Sequence, residues 1–129
     1  MIWYIGLGSA LGGMARFGLA GWVQAVAKGS FPAGTLVVNV VGSLVLGFLL
    51  PYTLEQASFS PSVRAMLTIG FCGGFTTFST FSYEALALIQ DGQWTRATSY
   101  VVGSVLLSLG AVLAGWIMAH QLLIHGRQA

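Results

Sequence analysis

The chain has 129 residues, of which 56% are hydrophobic and 6% charged, whereas soluble domains carry about 25% charged residues. Too little polar surface is left to face water, so the expected partner is lipid. The length holds a single domain, and four helices of roughly 20 apolar residues, each able to cross about 30 Å of hydrocarbon, would use nearly all of it. A formal net charge of +2, with no basic run interleaved with aromatics, excludes nucleic acid as a partner, and the lone cysteine, Cys72, excludes an intrachain disulfide.

The first apolar stretch, 2–26, carries Arg16 and ends in the turn-forming run of Lys28, Gly29, Ser30 and Pro32. It has no early positive charge of the kind that opens a signal peptide, so it is expected to stay as a helix. The second stretch, 34–54, holds Thr35 and Asn39 and leads into the polar run 55–62. The third, 64–90, is apolar at its ends and polar in its middle, and Asp91-Gly92 closes it. The fourth, 96–124, bears Tyr100, Ser104 and Ser108 one turn apart, followed by a short tail. Trp3, Trp22, Trp94 and Trp116 fall at or toward segment ends, where interfacial aromatics belong. Small residues recur four apart at Gly8/Gly12, Ser43/Gly47, Gly70/Gly74 and Ala111/Gly115, a spacing that lets helix backbones approach closely.

Enzyme chemistry finds no support. The run Gly6 to Gly12 looks outwardly like a dinucleotide loop, but no acidic residue precedes Glu55 to hold a ribose, and no acid, base and nucleophile set exists. His120 and His125 lie five apart, off a common helix face, which argues against a metal site built from them.

With four spans, Lys28 and Arg96 sit on one side and Arg64 and Arg127 on the other. Lysine and arginine bias orients membrane proteins, so a tie predicts insertion in both orientations and pairing of opposed copies as an antiparallel homodimer. A tie among four charges also arises by chance, and the first helix alone can set orientation.

The centre of the third stretch is the informative part. Thr76, Thr77, Ser79, Thr80 and Ser82 place five hydroxyls in seven residues, preceded by Gly73 and Gly74 and interleaved with Phe78 and Phe81. Paired glycines and β-branched residues weaken a helix, and an interrupted helix at membrane depth survives only inside protein or beside a cavity. A break near 73–77 is expected, with freed carbonyls for a cation and helix amides for an anion. An aromatic ring is positive at its edge, so Phe78 and Phe81 turned inward would receive an anion. Hydroxyls bonded back to the preceding turn and rings packed on neighbours would account for the same residues. Asn39 serves equally as an anion donor or as interhelical glue, and Tyr100, Ser104 and Ser108 equally as a rail of hydroxyl donors or a packing seam.

The run Gly70-Phe71-Cys72-Gly73-Gly74-Phe75-Thr76-Thr77-Phe78-Ser79-Thr80-Phe81-Ser82 resembles the signature of the Fluc (CrcB) family of fluoride channels. Gly34 to Asn39, Gly12 to Arg16, and Tyr100 with Ser104 and Ser108 resemble its other helices, so the likeness covers all but the tail. The resemblance implies an all-α membrane protein of four transmembrane helices, the third broken at mid-membrane, assembled as a dual-topology antiparallel homodimer in a prokaryotic inner membrane. It implies two pores that export fluoride passively, lined by Phe78, Phe81, Asn39, Ser104, Ser108, Tyr100, Thr80 and Glu84. It also implies a structural sodium ion at the dimer centre, held by backbone carbonyls of Gly73 and Thr76. A proton-coupled multidrug exporter would want a carboxylate where the first stretch has Arg16, and a passive scaffold would tolerate Phe78 and Phe81 changed to Leu.

Overall fold

A computed structural model describes residues 1–128, and among these residues every regular element is helical. Helix α1 (Ile2–Ala27) ends at Lys28, whose φ of 46° turns the chain and lets its N–H close on Gln24 O at 3.3 Å. Helix α2 (Ala33–Glu55) follows. Helix α3 (Pro61–Ala65) starts three residues before the expected 64, because Pro61 stands at the first helical position and the Ser60 side chain accepts the Val63 N–H at 3.3 Å.

Three unlike pieces then succeed one another. A π-helical segment, Met66–Cys72, widens the coil, and α4 (Gly73–Phe75) restores the α pitch. Thr76 and Thr77 are extended, and α5 (Phe78–Gln90) begins afresh. No pattern in the sequence marks the wide segment. The glycine pair is helical, with Gly73 at φ −66° and ψ −36°, so the break lies at the threonines and not at the glycines.

Helix α6 (Trp94–Gln128) overruns the expected 96–124 at both ends. At 1.5 Å per residue it is about 52 Å long, well beyond about 30 Å of hydrocarbon. Its overhanging end is tied down by Arg127, which pairs with Glu55 at the end of α2.

Glycines set the packing. A Cβ on Gly8 would lie 2.2 Å from Met66 O, one on Gly12 2.2 Å from Phe71 O, and one on Gly74 2.5 Å from Ser9 O. Helix α1 therefore runs backbone to backbone along the π segment and α4. Helices α2 and α6 meet the same way, with Gly47 against Val112 O at 2.3 Å and Gly115 against Leu44 O at 2.2 Å. Each small-residue pair read from the sequence thus has at least one member against a facing backbone, which is how helices associate where apolar burial gives no advantage over lipid.

Arg64, Arg127 and Glu55 lie at one end of α2 and Arg96 at the other. Arg64 donates through Nε and Nη2 to Thr53 O at 3.2 and 2.8 Å, beside the Arg127–Glu55 pair. At the other end Ser30 Oγ and Arg96 both donate to Gln93 Oε1, at 3.2 and 3.0 Å, and Arg96 also reaches Ser30.

Replacing Gly12 by Val tests the packing. Its side chain would meet a backbone carbonyl that cannot swing away, so the change is expected to cost about 1–3 kcal/mol and to lower the thermal midpoint in detergent. An unchanged midpoint would mean that α1 and the π segment separate freely.

Candidate functional site

At Thr76–Thr77 the backbone leaves the helix, and three of the groups released there find a side chain. Thr77 N–H donates to Asn39 Oδ1 at 2.7 Å, and Asn39 Nδ2 donates to Thr77 O at 3.0 Å. Arg16 Nη1 donates to Thr76 O at 3.2 Å. Thr77 then caps α5, its Oγ1 accepting the Thr80 N–H at 3.2 Å. Thr76 Oγ1 bonds back to Cys72 O at 2.9 Å, as the local reading of these hydroxyls anticipated. With the Thr77 N–H turned toward Asn39, the Gly73 carbonyl has lost the donor that a continuous helix would supply.

Two cavities flank the break. The larger, about 550 Å³, lies between α1, α2 and the start of α5 and is lined by Arg16, Gln24, Thr35, Thr77, Thr80 and Glu84 among others. Arg16 and Glu84 both reach it without pairing, since the ion pair among the described residues is Arg127–Glu55. Glu84 is held at both oxygens: Thr35 Oγ1 donates to Oε1 at 2.7 Å and the Tyr100 hydroxyl to Oε2 at 3.1 Å. The smaller cavity, about 220 Å³, brings Asn39 and Ser43 together with Thr76, Thr77 and Phe78.

An aromatic file runs inward from the break. Phe78 is 79% exposed, Phe81 9% and Tyr100 0%. The Phe78 and Phe81 centroids are 5.5 Å apart, those of Phe81 and Tyr100 5.2 Å. Phe31 stands edge-on to Tyr100 at 5.6 Å. One turn along α6, Ser104 is 6% exposed, and its Oγ is the buried side-chain polar atom left without a partner among the described residues. Ser108, a further turn on, is half-buried.

Of the residues singled out in the sequence, Phe78, Phe81 and Tyr100 adjoin ring to ring, Glu84 accepts from Tyr100, Ser104 lies one turn beyond Tyr100 on α6, and Thr80 joins Glu84 at the larger cavity. Asn39 is committed to the Thr77 backbone, with one Nδ2 hydrogen to spare. Gly73 is exposed, and no atom lies within 4 Å of where its Cβ would stand. The partner of Arg16 and the bond from Thr35 to Glu84 were not foreseen; a lone arginine opposite a predicted helix break was the available signal for the first. Gln24 gave none.

Thr35, Thr53, Thr68, Thr77 and Ser104 are buried, while large apolar residues such as Trp3, Phe17 and Leu109 face out. Helices α2 and α6 are long enough to cross a bilayer, and an 18-residue window in each has a mean hydropathy of 2.1. A chain arranged in this way is a helical membrane protein.

The chain belongs to the family described as CrcB-like protein, Camphor Resistance (CrcB), which matches residues 3–116. It is 48% identical over 111 residues to a fluoride-specific ion channel FluC of Nitratidesulfovibrio vulgaris, covering 86% of this chain and 90% of the relative. It is 46% identical over 118 residues to a protein of the same name from Geobacter metallireducens, covering 92% and 95%. A third, from Geobacter sulfurreducens, is 48% identical over 113 residues, covering 88% and 91%. These relatives are named as channels and not as enzymes, and the family resemblance read from residues 70–82 holds.

Replacing Asn39 by Leu would strand a buried N–H and C=O at Thr77. A loss of about 1–3 kcal/mol per orphaned group is expected, read as a lower thermal midpoint, whereas Asn39→Asp, which keeps the acceptor, should fall between. Equal midpoints for all three would show that the break is held by other contacts.

Proposed function

We propose that this chain is a fluoride-selective passive channel, working as an antiparallel homodimer of four-span subunits in a prokaryotic inner membrane and letting fluoride leave the cytoplasm through two pores. The observation that carries the reading is the file of Phe78, Phe81 and Tyr100, which leads from an exposed ring at the break to the unpartnered Ser104 hydroxyl. Fluoride is small and strongly hydrated. A path for it must replace water with many weak donors while leaving each site able to release the ion. Positive phenyl edges, hydroxyls and the spare amide hydrogen of Asn39 meet that demand. The names of the relatives point the same way.

The support for a dimer is the exposed face of the break. Ser79, Thr80, Ser82 and Phe78 are all exposed in the single chain, and a run of hydroxyls and loosened backbone at membrane depth needs protein or a water-lined cavity against it. A second copy would supply both. The division of Lys28 and Arg96 from Arg64 and Arg127 across α2 supports insertion in either orientation.

A sodium ion fits the same face. The Gly73 carbonyl lacks its helical donor, Gly73 itself is exposed, and the Thr76 carbonyl keeps a second lone pair beyond the one Arg16 uses. In an antiparallel dimer Gly73 and Thr76 of both copies would hold it, and when bound it would supply the positive charge that draws their carbonyls together.

Fluoride efflux from liposomes, followed with a fluoride electrode beside a chloride control, tests the channel. Rapid efflux of fluoride alone is expected, and its loss in the double variant Phe78→Leu, Phe81→Leu; no efflux from well-folded protein would overturn the reading. Tags at both termini should report about half the copies in each orientation, as a charge tie demands, and a single orientation would rule out the antiparallel dimer.

A further inference from the structure

We infer that Gln24 is a positioning residue for the path: it fixes the α1–α2 connection and the first turn of α2, from which Phe31 and Thr35 reach Tyr100 and Glu84. This rests on the channel reading for its consequence but not for its geometry. Gln24 lies near the end of α1, beside the larger cavity. Its Nε2 donates to Gly29 O and to Phe31 O, each at 3.0 Å, and its Oε1 accepts the Gly34 N–H at 3.2 Å. Both donors and the acceptor of one side chain therefore go to the backbone of the connection 29–34. The orientation of the amide follows from those partners, two carbonyls on one side and an N–H on the other.

The consequence lies one residue on. Thr35 follows Gly34, and its hydroxyl donates to Glu84 Oε1 at 2.7 Å. Phe31, whose carbonyl Gln24 binds, puts its ring edge-on to Tyr100, the other donor to Glu84. Gly34 itself is wedged against α1, where a Cβ would come 2.3 Å from Ala20 O, so the start of α2 has one place to sit and Gln24 sets its rotation there. Without that clasp the loop keeps its covalent reach but loses the constraint that aims Thr35 at Glu84. A loosened Thr35 would leave Glu84, which lines the cavity, with Tyr100 as its remaining donor and Oε1 unrestrained.

The test reads Glu84 directly. The chain has three acidic side chains, so the infrared carboxyl band lost on Glu84→Gln in the full-length protein identifies the group. In Gln24→Met that band is expected to move in the same direction as in Thr35→Val, and fluoride efflux from liposomes to slow about fivefold, the worth of roughly one lost hydrogen bond. An unmoved Glu84 band in Gln24→Met would overturn the inference even if efflux fell. Gln24→Glu, which keeps the shape and removes the two donors, serves the same purpose if the methionine variant does not fold. Failure of both to yield folded protein would also overturn it, making Gln24 a requirement of folding. A wild-type protein that passes no fluoride would sink the channel reading while leaving the band measurement intact.

Discussion

Hydrocarbon offers no hydrogen bonds, so a helix interrupted inside the membrane must have its released backbone groups met by other parts of the protein. At Thr76–Thr77 three of these groups are met by two side chains from two other helices. Asn39 of α2 takes both the N–H and the C=O of Thr77, and Arg16 of α1 takes the C=O of Thr76. The break thereby ties α1, α2 and α5 to one point, and both cavities open beside it. Arg16, a costly residue at membrane depth, has a structural reason to be there.

The close backbone contacts follow from the same requirement. Asn39 and Arg16 are short of reach unless their helices lie nearly touching the broken one. Gly8, Gly12 and Gly74 bring α1 that close, and the wider π segment presents Phe71 and Met66 carbonyls to it. Overpacking at these positions would therefore act on the site as well as on stability, because the side chains that hold the break would be pushed away from it.

The site joins two chemistries that are seldom adjacent. Phe78 and Phe81 offer positive ring edges, while Glu84 one turn on carries a carboxyl group that would repel an anion if it swung free. Thr35 and Tyr100 hold it at both oxygens. A restrained carboxyl beside a file of weak donors is compatible with passage of a small anion in a way that an unrestrained one is not.

Much of this was legible in the chain itself. Composition determined a lipid-facing protein, since 6% charged residues cannot clothe a surface in water, and four apolar stretches of about 20 residues made it helical. The run from Gly70 to Ser82 determined the family and the existence of an interruption, because hydroxyls and glycines massed inside an apolar stretch weaken the helix that carries them. Tertiary structure decided the rest. The break fell at Thr76–Thr77 because Asn39, 38 positions away in sequence, competes for the Thr77 N–H, and no local propensity records that competition. Of the glycines before it, Gly70 and Gly74 serve approach to α1, whereas Gly73 is helical with no atom near its Cβ position. The π segment, the carbonyl that receives Arg16, and the clasp of Gln24 on the backbone of 29–34 all depend on which backbones come within reach of which side chains, and that is settled only when the helices pack.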